Sequence, residues 1–96
     1  MKISVKSFLS MRQVMDGRAV VGLEVEDMTL LEFLYELTVI YGKPFSDTIF
    51  DENKKYLNQH IRVLVNGRHY SHLPRKLDTR LNEGDEVCLF PPVAGG

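Results

Sequence analysis

The sequence predicts an α+β domain, a mixed sheet packed on one main helix. Three observations carry this expectation. Apolar and polar residues alternate near both ends of the chain, in "KISVKSFL" and "EVCLF". One segment, "DMTLLEFLYELTVIYG", changes to a helical period. The strand signals flank that helix instead of alternating with further helices.

The elements follow in order. Ile3 and Val5 point one way and Lys2, Ser4 and Lys6 the other, which predicts a half-buried strand over residues 2–8. Asp16-Gly17 is a turn signal, and "VVGLEVE" alternates again through Val21, Leu23 and Val25. These two strands form an antiparallel pair joined by a loop from Ser10 to Arg18. Thr29 and Glu32 have capping-box spacing, with Met28 and Phe33 placed as a hydrophobic staple. Leu30, Leu34, Leu37 and Tyr41 then mark a helix over 30–41, its stripe widened by Phe33 and Ile40. Gly42 ends it and Pro44 blocks continuation.

The stretch from Lys43 to His60 is mixed, with room for a short helix. "IRVLV", the Asn66-Gly67 turn and "RHYSHL" predict a hairpin. Glu83-Gly84 then launches a last strand from Glu86 to Phe90. The order β-β-α-connection-β-β-β is that of the β-grasp, the ubiquitin-like fold.

Composition bounds the function. The 96 residues suit one domain over 1–96, and 44% hydrophobic content supports a core. The net charge is −1 and the basic residues are scattered, which argues against nucleic acid as a partner. No apolar run approaches the ~20 residues needed to cross a bilayer, and the first residues read as a strand, so no membrane role is expected. A single cysteine excludes an intrachain disulfide and fits a cytoplasmic setting.

The chain finishes on "FPPVAGG". Gly95 and Gly96 have no Cβ, so their backbone can thread a narrow channel. Pro91 and Pro92 fix φ and favour an extended path. Val93 and Ala94 complete six residues beyond Phe90, a reach of roughly 20 Å. Residues 91–96 therefore read as a flexible tail that packs little against the body and enters another protein. The bland alternative is an idle chain end.

"VNGR", then "LDTRLNEGDEVCLFPPVAGG", resembles the ubiquitin-like sulfur carriers, and most closely the small subunit of molybdopterin synthase. "FLSMRQV" near the N-terminus adds to the likeness. Arg80, where such carriers often have proline, and a long connection from Lys43 to His60 depart from it. The resemblance implies a carrier and not an enzyme. The Gly96 carboxylate would be adenylated with ATP by a separate E1-like enzyme and converted to a thiocarboxylate. The large synthase subunit would then take the sulfur for molybdopterin. No cofactor would be bound to the chain itself. Carriers for thiamine or cysteine synthesis and ubiquitin-like protein modifiers share this tail chemistry. A plain β-grasp interaction module stays open as a different class.

Cysteine, histidine and outward aromatic residues are the remaining candidates for chemistry or contact. Cys88 has no basic neighbour in sequence to lower its pKa and reads as an inert strand residue. His69 and His72, if both on a strand, point to opposite faces, and with His60 they form no ligand set of ordinary spacing. Val87 and Leu89 make an inward pair, which leaves Phe90 outward beside the tail. Phe90 is therefore a candidate partner-docking residue, with Phe8 beside it and Tyr70 or His69 at the rim; a core position is the alternative for both phenylalanines.

Overall fold

The computed structural model describes residues 1–52 and 56–91. Five strands form one sheet in the order β2-β1-β5-β3-β4. They are β1 (Lys2–Ser7), β2 (Val20–Glu24), β3 (Arg62–Val65), β4 (Arg68–His69) and β5 (Glu86–Phe90). β1 runs antiparallel to β2, pairing Lys2 with Glu24 and Lys6 with Val20. β5 enters between β1 and β3. It is parallel to β1 from Ser4↔Glu86 to Ser7↔Leu89, and antiparallel to β3 from Arg62↔Phe90 to Val65↔Val87. The sheet is therefore mixed, as expected, and the fold is the ubiquitin-like α+β arrangement.

Alternation sorts the side chains. Ile3, Val5, Val63, Val87 and Leu89 are fully buried on the inner face. Ser7 continues that face and is also buried; its hydroxyl donates to the Arg18 carbonyl at 2.6 Å, so no polar group is stranded. Against this face lies helix α1 (Leu30–Tyr41), through Leu30, Phe33, Leu34 and Leu37. Its start is the expected capping box. The Thr29 hydroxyl accepts from the Glu32 amide at 3.2 Å, and the Thr29 amide donates to the Glu32 carboxylate at 2.9 Å. Those bonds hold the Glu32 carboxyl below the ordinary carboxylate range, the Thr29 amide having the largest effect. Ile40 does not join the buried stripe as expected; it is 48% exposed, because the stripe turns past it toward Tyr41.

Two further segments depart from expectation, and a third settles what the spacing left open. The loop between β1 and β2 carries a 3₁₀ helix (Leu9–Met15) that buries Met11 and Met15 completely. α1 ends at Tyr41 as expected, and the connection holds the short helix for which the sequence left room, α2 (Lys43–Ile49). Pro44 occupies its first turn, where the missing N–H is no loss, and Phe45 and Ile49 enter the core. The return strand "RHYSHL" is a strand only at Arg68–His69; Tyr70–His72 is a 3₁₀ turn. Asn66 and Gly67 join β3 to β4 with φ of 52° and 84°, the two left-handed residues of a tight hairpin turn. The Asn66 side chain donates to Asp85 at 2.9 Å and accepts from the Glu86 amide at 3.0 Å, fixing this turn to the start of β5.

Candidate functional site

β5 leads into residue 91, and its outer face carries Glu86, Cys88 and Phe90. Phe90 stands on that face, half-buried, opposite Val87 and Leu89. Its ring stacks on Phe8, with centroids 4.3 Å apart and planes 7° from parallel. The backbone explains the meeting. β1 is parallel to β5, and the Phe8 amide continues the ladder by donating to the Leu89 carbonyl at 3.2 Å. The parallel pairing of β1 with β5 thus brings the two rings face to face, with both residues half-buried.

The rest of the outer face follows from register. Arg62 pairs with Phe90, and Leu64 pairs with Cys88 on one side and His69 on the other. Lys6 pairs with Cys88 from β1 and makes an ion pair with Glu86 at 3.1 Å. Phe8, Phe90 and Leu64 therefore form an apolar strip with cations at its rim. Leu64 and Arg62 were not singled out from sequence; the alternation of "IRVLV" against the inward Val63 and Val65 was the signal that could have found them.

The other predicted rim residues are placed differently. His69 lies on the outer face, and its ring stacks on Tyr70 at 4.7 Å. Tyr70 packs against the core cluster, because the 3₁₀ turn swings it away from the strand. The two form a pair of their own beyond Leu64. His69 and His72 do not point to opposite faces of a strand, since His72 belongs to that turn; their rings meet edge-on at 6.4 Å. No group of three or more His, Cys, Asp or Glu suited to a metal occurs among the described residues.

Cys88 is buried on the outer face, 8% exposed. Burial raises its thiol pKa, and the Glu86 carboxylate 3.6 Å from Sγ raises it further, against a smaller opposing effect of Lys6. The thiol is protonated and poorly nucleophilic there. Pro91 is buried, so the expectation that residues 91–96 pack little against the body is corrected at its first position. Pro92, Val93, Ala94, Gly95 and Gly96 lie outside the described residues, as do 53–55. No helix among the described residues is long and apolar enough to cross a membrane.

Among the described residues, this arrangement offers an outer-face surface on which a partner could rest. The chain is 33% identical over 96 residues to small archaeal modifier protein 3 of Haloferax volcanii, covering the full length of both. It matches the crystal structure of the Haloferax volcanii modifier SAMP1 with a TM-score of 0.80 at 31% identity, again over the whole of both chains. It also matches the protein assigned as molybdopterin converting factor subunit 1 of Pyrococcus furiosus, with a TM-score of 0.71 at 26% identity, over 97% of this chain and 99% of that one. The model of the ThiS family matches residues 13–96. The chain accordingly belongs to the ThiS family, among the small ubiquitin-like sulfur carriers and modifiers.

Proposed function

We propose that this protein is a sulfur carrier whose Gly96 carboxylate is adenylated by an E1-like enzyme and then converted to a thiocarboxylate. A carboxylate is a poor electrophile. ATP supplies the activation: the carboxylate takes the adenylyl group, pyrophosphate leaves, and a sulfur nucleophile later displaces AMP. ATP and the catalytic groups belong to the activating enzyme, and the carrier brings no cofactor of its own. The reaction belongs to the cytoplasm, where ATP is available and a lone thiol such as Cys88 stays reduced.

The observation that carries this reading is the family match, which runs to residue 96 and so includes the Gly95-Gly96 end. The outer-face strip of Phe8, Phe90 and Leu64 supports it as the surface a partner would hold. Molybdopterin is the proposed destination of the sulfur, with the large synthase subunit as acceptor. The likeness to the Pyrococcus furiosus converting-factor subunit supports that choice. A second reading, joining of Gly96 to lysines of target proteins, is favoured by the full-length likeness to the Haloferax volcanii modifier. Both readings share the adenylate and differ in the nucleophile that follows.

Intact-mass analysis tests the proposal. The chain is incubated with a cognate E1-like enzyme, ATP and a sulfur donor. The wild type should gain the difference between sulfur and oxygen at its C-terminus, and a chain lacking Gly96 should not. An unmodified wild type, or equal loading of the shortened chain, would leave only the interaction-module reading. Higher-mass isopeptide adducts in place of the thiocarboxylate would favour the modifier.

A further inference from the structure

Leu9 sits in the left-handed region, at φ 53°. For a leucine this is a strained backbone, since Cβ crowds the following carbonyl. The local geometry shows why the chain bends there. Phe8 still belongs to the sheet, through its bond to Leu89. Two residues beyond Leu9, Met11 is fully buried, and its amide returns to the Phe8 carbonyl at 3.0 Å. A single residue between two fixed neighbourhoods has to absorb the change of direction from strand to 3₁₀ helix.

Glycine or asparagine would make that bend with less strain. The leucine side chain gives the fold nothing in return, for it is 73% exposed. It adjoins Phe8, which stacks on Phe90, six residues before Gly96. Any protein that draws Gly96 into an ATP site lies against this end of the sheet, because six residues reach only about 20 Å. Charge adds to the description of that protein. Arg62 flanks Phe90 in register, is exposed, and makes no ion pair among the described residues.

We propose that Leu9 is an apolar anchor for the adenylating enzyme, entering a nonpolar pocket that has a carboxylate on its Arg62 side. The proposal rests on the sulfur-carrier reading. It extends the docking face from a flat aromatic pair to a projecting side chain, and makes Leu9 a residue by which the enzyme distinguishes this carrier from others.

The test is ATP–pyrophosphate exchange by the E1-like enzyme, with the full-length carrier as varied substrate. Four variants are compared with wild type: Leu9→Gly, Leu9→Asn, Arg62→Glu and, as a control, Val39→Asn. Val39 is 77% exposed on α1 and lies away from β5. Glycine and asparagine both suit the left-handed backbone, so the Leu9 variants should melt at or above the wild-type temperature. Their KM for the carrier should nevertheless rise at least about fivefold, the level that marks an energetic contact, with kcat little altered. Arg62→Glu should also raise KM, and Val39→Asn should not. An unchanged KM in the Leu9 variants overturns the proposal, as does a fall in their melting temperature, which would make the leucine a structural residue. A wild type that supports no exchange overturns the carrier reading itself, and this inference with it.

Discussion

The Phe8–Phe90 stack gives the most direct physical test of the docking face. Outward placement alone would predict that truncating Phe90 costs the fold little. The stack changes that expectation. A fully buried phenylalanine replaced by alanine costs about 3–5 kcal/mol. Phe90 is half-buried, so the loss from burial should be near half of that, about 1.5–2.5 kcal/mol. An aromatic pair in offset or stacked contact contributes a further ~0.5–1.5 kcal/mol, and rings 4.3 Å apart at 7° are in such contact. Phe8→Ala, Phe90→Ala and the double variant therefore close a cycle with a coupling of about 0.5–1.5 kcal/mol. Urea unfolding of the four proteins measures it, provided the denaturant slope stays constant. Additivity within about 0.3 kcal/mol would refute the stack as a stabilising contact. A single-variant loss of about 5 kcal/mol, beyond the roughly 2–4 kcal/mol that half-burial and the stack allow together, would place Phe90 in the core and remove the reason to call it a docking residue.

Leu34→Ala, fully buried between α1 and the sheet, should cost about 2–5 kcal/mol in the same assay; a loss below about 1 kcal/mol would contradict the packing of α1 on β1 and β5. The Glu32 carboxyl is held low by the Thr29 amide and hydroxyl, so its contribution is present above the unfolded-state pKa and disappears as pH falls through the lower folded value. Thr29→Ala removes the hydroxyl but keeps the amide, so it should raise the Glu32 pKa observed by NMR titration only part of the way toward the ordinary value. Cys88 should alkylate slowly at neutral pH, and Cys88→Ser should still be loaded with sulfur, because the thiol is buried and shifted away from the thiolate form.

Strong periodicity was legible in the sequence. The α1 boundaries, its capping box and the limits of β5 all follow from residue spacing that extends over several turns or alternations. Short anchors were not. Met11 and Met15 stand four apart, as helical core residues do, but a single repeat inside "SMRQVMDGR" does not separate a 3₁₀ helix from a loop. Phe45 and Ile49 repeat the same spacing, which left room for a short helix without fixing its bounds, because Pro44 both halts the preceding helix and suits the first turn of the next. At the candidate site, the outward turn of Phe90 could be read from Val87 and Leu89 alone. Its contact with Phe8 could not, because it depends on a parallel register between segments at opposite ends of the chain. Tyr70 was expected at the rim; the 3₁₀ turn, which alternation does not reveal, sets it half-buried against the core edge while its ring stacks on His69.

β5 is last in chain order and central in the sheet. During synthesis this separates the sheet into two incomplete halves. The β1–β2 ribbon emerges early and the β3–β4 hairpin late, and each presents an unpaired edge to the other until β5 fills the gap. Two-stranded ribbons are marginal alone, and the helix has only half a surface to cover. The body therefore cannot settle while the ribosome still holds Val87 to Phe90, and closure of a loop nearly as long as the chain comes last. A partner that recognises the Phe8–Phe90 face meets only molecules in which translation has already passed Phe90. Closure of the sheet around β5 and display of the face are therefore one event.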